Sequence, residues 1–280
     1  MPELPEVETV KRGIIPLLEG RRILQVIQRR DSLRIPLPDN FAGRLKGRKI
    51  EQITRRAKYL LLYLDGNETL ICHLGMSGKM TLVAAKHRKT PDEFAKHDHI
   101  ILESDRHDLV IYNDPRRFGL MTLCATDQLD QHPLFCKMGP EPLGNEFNAS
   151  YLLEKIKNRR SVIKTIFLDQ RVVVGLGNIY VCEALFVAGL SPLKKACDLG
   201  ADDCEKIIPI IRDILTRAIA AGGSTLKDYA RVDGELGYFQ HNFKVYGREG
   251  ETCRNKNCST KIERIIQSNR STFYCPACQD

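Results

Sequence analysis

The second residue is a proline followed by a glutamate, in the run Pro2-Glu3-Leu4-Pro5-Glu6-Val7-Glu8. A small residue after Met1 permits removal of the initiator, which leaves a secondary amine beside a carboxylate. Free α-amino groups titrate near pKa ~8, so a useful fraction is unprotonated at neutral pH without any burial. A secondary amine that attacks a sugar C1′ gives an iminium that is cationic without a further proton, an electron sink for elimination at neighbouring carbons. Position alone favours a proline that merely starts a chain.

The four cysteines at the other end carry a sharper signal. Cys253-x4-Cys258-x16-Cys275-x2-Cys278 has two close pairs separated by a ribbon-length insert, which suits one Zn2+ held tetrahedrally by four thiolates. Four protein sulfurs leave no open position, so the metal holds a fold rather than polarising a substrate. Lys261, Arg264 and Arg270 lie between the pairs on an expected β-hairpin. A metal-held hairpin places guanidinium groups rigidly against phosphate; solubilising charge on a small module is the plainer alternative.

Two Gly-flanked loops add a third constellation. Asp114-Pro115-Arg116-Arg117-Phe118-Gly119 puts two guanidinium groups and an aromatic ring at a turn, and His73-Leu74-Gly75-Met76-Ser77-Gly78-Lys79 carries a flexible apolar tip. Such loops can wedge between stacked bases and fill the space of an expelled one; either alone reads as a surface turn. Lys58, ahead of the apolar run Tyr59 to Leu64, is a phosphate contact, a proton carrier or a snorkelling strand-edge residue.

These groups need elements to hold them. Val7, Val10, Ile14 and Leu17 recur at helical spacing, with Glu6 and Glu8 early and Lys11 and Arg12 later, as the helix dipole favours. Short apolar segments at Ile23–Val26, Lys58–Leu64, Thr69–Leu74, Lys79–Val83, His99–Leu102 and Leu109–Tyr112, parted by turn residues, predict a β-sandwich. Loop chemistry at 139–149 marks a boundary, after which helices are expected at about Ala149–Lys157, Ser161–Asp169, Ile179–Ala188 and Asp202–Ala221, with Ser150, Ser161 or Asp202 near their starts. Val174-Gly175-Leu176-Gly177-Asn178 sets glycines at a helix N-terminus, either a tight inter-helix turn or a clamp on a DNA backbone. From Gly222 to Gly250 no period is evident.

A chain of 280 residues with 42% hydrophobic content can bury the cores of two domains. The formal charge of +8, from 43 Lys+Arg against 35 Asp+Glu, points to a polyanionic partner, although ordinary enzymes also reach it. No apolar run approaches the roughly 18 residues of a membrane span and no signal segment opens the chain, so a cytosolic protein without a membrane partner is expected. Cys72, Cys124, Cys136, Cys182, Cys197 and Cys204 are dispersed, as reduced core cysteines are.

Taken in order, Pro2 to Thr9, Ala57-Lys58-Tyr59-Leu60, His73 to Lys79, Asp114 to Gly119, Gly175 to Tyr180, Gly222-Gly223-Ser224-Thr225-Leu226, Tyr246-Gly247-Arg248 and Arg270 to Cys275 make the chain resemble, over nearly its whole length, the bacterial formamidopyrimidine-DNA glycosylase family. The resemblance implies an α+β multidomain fold: an N-terminal two-layer β-sandwich with flanking helices (1–140), a helix-two-turns-helix domain with a lesion loop (141–240) and a C-terminal zinc-finger β-hairpin (241–280), with DNA in the cleft. It implies removal of 8-oxoguanine and formamidopyrimidines, followed by strand scission, by a monomer in the bacterial cytosol acting on double-stranded DNA with oxidised purines or abasic sites. Pro2 is then the Schiff-base nucleophile, Glu3 the acid/base for sugar-ring opening, Lys58 the β-elimination lysine, and Arg270 the finger arginine assigned to phosphate and δ-elimination. Met76, Arg116 and Phe118 fill the gap of the flipped nucleotide, with His73 and Arg117 binding DNA beside them; His97 and Arg160 contact DNA, and Lys164 and Asn178 look like further phosphate contacts.

Two departures stand out. The first cysteine pair is spaced by four residues where the family usually has two, and the lesion loop at about 224–238 has no assignable base contacts. Three rivals remain: an endonuclease VIII-type enzyme for oxidised pyrimidines, disfavoured by Leu4 and the complete Met76/Arg116/Phe118 set, a non-catalytic zinc-dependent DNA-binding protein, and a zinc ribbon serving only as a protein-interaction module.

Overall fold

The computed structural model describes residues 2–87, 89–224 and 238–280. These divide into two units, Met1–Cys136 with Ala221–Gln240, and Lys137–Ala220 with His241–Asp280.

In the first unit the strands are β1 (Ile23–Gln28), β2 (Ile50–Arg56), β3 (Tyr59–Leu64), β4 (Glu68–His73), β5 (Lys79–Val83), β6 (Asp98–Ser104), β7 (Leu109–Asn113) and β8 (Leu120–Ala125). They form two antiparallel four-stranded sheets, ordered β1-β6-β7-β5 and β2-β3-β4-β8, the sandwich that the spacing of the apolar runs predicts. Alternate residues of the strands, Leu60, Leu62 and Leu64 of β3 with Ile100 and Leu102 of β6, enter one core with Val110 and Tyr112 of β7. The helix α1 (Leu4–Leu18) adds Val7, Val10, Ile14 and Leu18 to it; Leu18, rather than the expected Leu17, closes the buried stripe. Each such side chain contributes roughly 1.5–3 kcal/mol through removal from water.

Strands β2 and β8 and the short helix α2 (Phe41–Leu45) are additions to the sequence reading. Neither strand alternates in sequence: β2 reads Ile-Glu-Gln-Ile-Thr-Arg-Arg and β8 reads Leu-Met-Thr-Leu-Cys-Ala. One helical turn shows no period.

The second unit contains α3 (Ala149–Ile156), α4 (Ile163–Leu168), α5 (Asn178–Ala188) and α6 (Ala201–Ala220), close to their expected bounds, with the hairpin β9 (Glu263–Gln267) and β10 (Arg270–Tyr274). Asn148, not Ser150, caps α3 by accepting from the Tyr151 N–H at 2.9 Å. Val162 rather than Ser161 is the N-cap of α4. Helix α5 is buried on nearly all faces, and its Cys182 and Phe186 pack against Val245, Cys253, Ile262 and Cys275. The cysteine-bearing module therefore rests on α5. Of the dispersed cysteines, Cys72, Cys182 and Cys204 are buried and Cys124 and Cys197 half-buried, but Cys136 is exposed and is not a core residue. Among the described residues no helix is long and apolar enough to cross a membrane.

Candidate functional site

Pro2 lies immediately before α1 and is buried, as is Glu3, the helix N-cap. Glu3 accepts from the Glu6 backbone N–H, while the Glu6 carboxylate accepts from the Glu3 N–H at 2.9 Å, a reciprocal capping box that fixes the first turn. The other Glu6 oxygen accepts from the Ser224 N–H at 2.8 Å and the Ser224 hydroxyl at 2.9 Å. Gly222 and Gly223 approach in the left-handed region, φ 76° and 78°, and a Cβ on Gly223 would stand 3.1 Å from the Glu6 side chain. Sequence reasoning assigned no role to the Glu6–Ser224 pair. The lesion-loop stretch 225–237 lies outside the described residues.

Lys58 sits in the two-residue turn between β2 and β3, where Arg56 pairs with Tyr59, and only 7% of it is exposed. His73, at the end of β4, packs against Tyr59 with ring centroids 4.7 Å apart and planes tilted by 51°. Burial, then the charges of Lys58 and Arg34, push the His73 pKa down to about 4. Its Nδ1 accepts from the Gly75 N–H at 2.9 Å, so His73 is a neutral, fixed ring beside a cation.

The two predicted wedge loops, β4–β5 and β7–β8, are joined. Buried Asp114 accepts from the Ser77 hydroxyl at 2.6 Å, the Tyr112 hydroxyl at 3.0 Å and the Gly119 N–H at 2.9 Å, and the Arg116 N–H reaches Ser77 Oγ at 3.2 Å. Asp114 also has its N–H on the His97 carbonyl at 3.0 Å and its carbonyl against His99 Nε2 at 2.9 Å. At the tips, Met76 (37% exposed) and Phe118 (44% exposed) face solvent, and the Arg116 guanidinium lies 4.7 Å over the Phe118 ring. Arg117, at φ 57°, is exposed beside them. Arg34, His73, Gly75, Met76 and Phe118 line a mostly apolar depression of about 410 Å³. Arg34, Ser77, Tyr112 and Asp114 escaped the sequence reading as parts of this assembly, although Asp114 opens the Asp-Pro-Arg-Arg-Phe-Gly run and was the available signal.

In the second unit, Lys164 is 1% exposed and donates to Thr272 Oγ1 at 2.6 Å and the Ser271 carbonyl at 3.3 Å. Asn178 Nδ2 donates to the same carbonyl at 2.7 Å. Both side chains thus grip β10 one and two residues beyond Arg270, which is exposed at the start of that strand. The turn before it, Ser268-Asn269, has φ 47° and 58°, the two-residue geometry that keeps strand twist and aims Arg270. Glu183 of α5 accepts from the backbone N–H groups of Lys244, Val245 and Tyr246 at 2.7, 3.0 and 2.8 Å, anchoring the approach to the cysteines. Arg160 is exposed between α3 and α4, and His97 is half-buried with its ring 6.2 Å from that of His99.

The sulfurs of Cys253, Cys258, Cys275 and Cys278 all lie within 4.8 Å of one another, with separations of 3.9 Å for Cys253–Cys278 and 3.7 Å for Cys258–Cys275. Tetrahedral zinc with bonds of about 2.3 Å requires sulfurs about 3.8 Å apart, so the set fits one structural Zn2+. The wider first pair is accommodated by Asn257 at φ 64°, and its Arg254 donates to the Phe243 carbonyl at 2.8 Å.

Three family models match the chain: the formamidopyrimidine-DNA glycosylase N-terminal domain over residues 1–121, the H2TH domain of the same enzymes over 138–230, and the zinc finger found in FPG and IleRS over 250–280. The formamidopyrimidine-DNA glycosylase of Jannaschia sp. (strain CCS1) is 54% identical over 282 residues, with all of both chains covered. A Lactococcus lactis FPG variant solved with Fapy-dG-containing DNA superposes with a TM-score of 0.90 at 35% identity, covering 100% of each chain. The MutM (FPG) protein of Thermus thermophilus gives a TM-score of 0.87 at 37% identity, covering 99% of this chain and 98% of that one.

Proposed function

The chain belongs to the formamidopyrimidine-DNA glycosylase family, and from that premise we propose that it excises 8-oxoguanine and formamidopyrimidines from duplex DNA and then cleaves the strand by β,δ-elimination. It is a base-excision repair glycosylase and abasic-site lyase with one structural zinc. The observation that carries the reading is the preassembled wedge, in which the Ser77–Asp114 hydrogen bond holds Met76 and the Arg116–Phe118 stack together at the surface. Exposed apolar side chains held rigidly are suited to replace a base removed from the stack, offsetting part of the few kcal/mol that flipping costs.

The chemistry then runs through the N-terminus. Once Met1 is removed, the Pro2 nitrogen bonds to C1′ as the bond from C1′ to the base breaks, and the base leaves with a proton. Glu3 handles the proton of the opening sugar ring. The resulting iminium acidifies C2′–H; Lys58 takes that proton, and the C3′–O bond breaks to release the 3′ phosphate. A second elimination, assisted by Arg270, releases the 5′ phosphate, and water frees Pro2. His73 and Arg117 border the wedge, while His97, Arg160, Lys164 and Asn178 serve the DNA backbone, the last two by holding the Arg270 hairpin. Zinc supplies no reaction step; it ties the hairpin's ends. The segments 1–140, 141–240 and 241–280 divide the labour as catalysis, backbone grip and finger, in a cytosolic monomer.

Borohydride trapping on a panel of lesions tests this reading. A covalent adduct is expected with 8-oxoguanine opposite cytosine, weaker with thymine glycol, and lost in Pro2→Gly; N-terminal sequencing should begin at Pro2. Preference for thymine glycol would favour the oxidised-pyrimidine rival. Undiminished trapping after the terminus is blocked would remove Pro2 from the chemistry, and DNA binding without any adduct would leave a docking protein.

A further inference from the structure

We infer that Arg55, held by Glu8, is a positioning residue for Lys58: its guanidinium clamps the turn at Ala57 to the helix that follows Pro2. The inference rests on the lyase reading above and concerns residues to which it gives no role. Arg55 Nε donates to Glu8 Oε2 at 3.1 Å and Arg55 Nη1 donates to the Ala57 carbonyl at 2.8 Å. The second Glu8 oxygen accepts from Lys11 Nζ at 2.8 Å and Arg12 Nε at 3.1 Å. The Arg55 and Glu8 side chains are each 10% exposed, so this is a shielded, branched ion pair rather than a surface contact.

The geometry at Ala57 gives the clamp its consequence. Ala57 is fully buried at φ 54°, in a two-residue hairpin connection whose partners are Arg56 and Tyr59. Positive φ at the first turn position is ordinarily left to glycine, and an alanine stays there only when its surroundings hold it. The carbonyl that Arg55 grips belongs to the Ala57–Lys58 peptide, which is planar. Fixing that oxygen fixes the orientation of the whole peptide plane, and the Lys58 side chain departs from its far edge with 7% exposure. Glu8 stands in the rigid helix whose first turn is capped by Glu3. Arg55 therefore refers the elimination lysine and the nucleophile to one frame, α1.

A plain helix-to-sheet staple would also contain this ion pair, and the two roles separate on readout. The full-length, zinc-loaded protein with Met1 removed is compared as wild type, Arg55→Met, Arg55→Lys and Glu8→Gln on a duplex with a preformed abasic site. Single-turnover scission at saturating enzyme is divided by the fraction of molecules that bind a tetrahydrofuran-containing duplex stoichiometrically. Displacing a reacting group by about an ångström is worth up to ~100-fold, so positioning predicts scission per competent molecule slowed at least about tenfold in Arg55→Met, with affinity for the tetrahydrofuran duplex within about threefold. Arg55→Lys keeps the pair with Glu8 but its single ammonium cannot span to the Ala57 carbonyl, so it should be slowed as well. Native scission per competent molecule in Arg55→Met, whatever its melting temperature, overturns the clamp; should that variant not fold, native scission in Arg55→Lys together with Glu8→Gln overturns it instead. A wild type that leaves the abasic duplex intact sinks the lyase reading itself.

Discussion

Ser77 donates its hydroxyl to Asp114 at 2.6 Å, and this hydrogen bond joins the loop that presents Met76 to the loop that presents Arg116 and Phe118. Asp114 is fully buried, and its two oxygens serve three donors, one of them the Gly119 backbone. A carboxylate can only accept, which is what three converging donors require.

Asp114→Asn replaces one accepting oxygen with a donating amide, leaving at least one buried donor unpaired. A loss of about 1–3 kcal/mol in urea denaturation is expected, with Ser77→Ala at the lower end. Both variants should also weaken binding to lesion-containing duplex more than to undamaged duplex, since the wedge acts only on a flipped base. Equal loss on both duplexes would show that the joint supports the fold alone.

Gly75 tests how closely the loops approach. At φ 66°, its added Cβ would fall 2.3 Å from the Gly119 nitrogen and the Phe118 carbonyl carbon. Gly47 at φ 80° has open space around the same position. Gly47→Ala should cost only the left-handed penalty of about 1–2 kcal/mol, whereas Gly75→Ala must push the two backbones apart and should cost at least about 1–3 kcal/mol more. Thermal melts of the two variants measure the difference.

His73 makes stability depend on pH with a defined sign. Its folded pKa of about 4 lies below the ordinary 6.5, so between these values the unfolded chain holds a proton that the folded chain does not. Stability therefore falls as pH drops through that window and levels off below about 4. The contribution is at most about 3 kcal/mol. His73→Asn keeps an acceptor for the Gly75 N–H but does not titrate, and urea midpoints across the window should show this part of the acid slope removed.

Zinc removal should act on the Arg270 hairpin. With its four sulfur ties gone, the segment 253–280 retains few core contacts, those of Ile262 with Val245 and with α5. A strong chelator, or Cys258→Ala, is expected to lower DNA affinity at least about tenfold while the β-sandwich signal in circular dichroism persists. Metal analysis should return one zinc per chain before treatment. Undiminished affinity in the metal-free protein would remove the finger from the DNA-binding surface.

Much of this protein is legible locally. The Pro2-Glu3 start, the paired cysteines, the Met76 and Phe118 loops and the strands β1 and β3 to β7 are each defined by residue type over a few positions, and they need no knowledge of distant chain. Strands β2 and β8 are illegible because their residues do not alternate: β2 has only Ile50 and Ile53 as apolar anchors, three apart, and β8 runs Leu120-Met121-Thr122-Leu123. The joints are illegible for a different reason. Glu6 meets Ser224 across 218 positions, Lys164 meets Thr272 across 108, and Asn178 meets Ser271 across 93.

Sequence by itself determined which chemical groups exist, the proposed nucleophile Pro2, the four clustered cysteines and the Met76 and Phe118 loop tips, because those are properties of single residues and short spacings. Tertiary structure alone decided what each buried polar group is bound to. A buried carboxylate or ammonium must find partners, but many chain segments offer equivalent N–H and C=O groups. Only packing of the cores selects among them, and that choice turns Glu6, Glu8, Arg55, Asp114 and Glu183 from ordinary charged residues into the supports of a site.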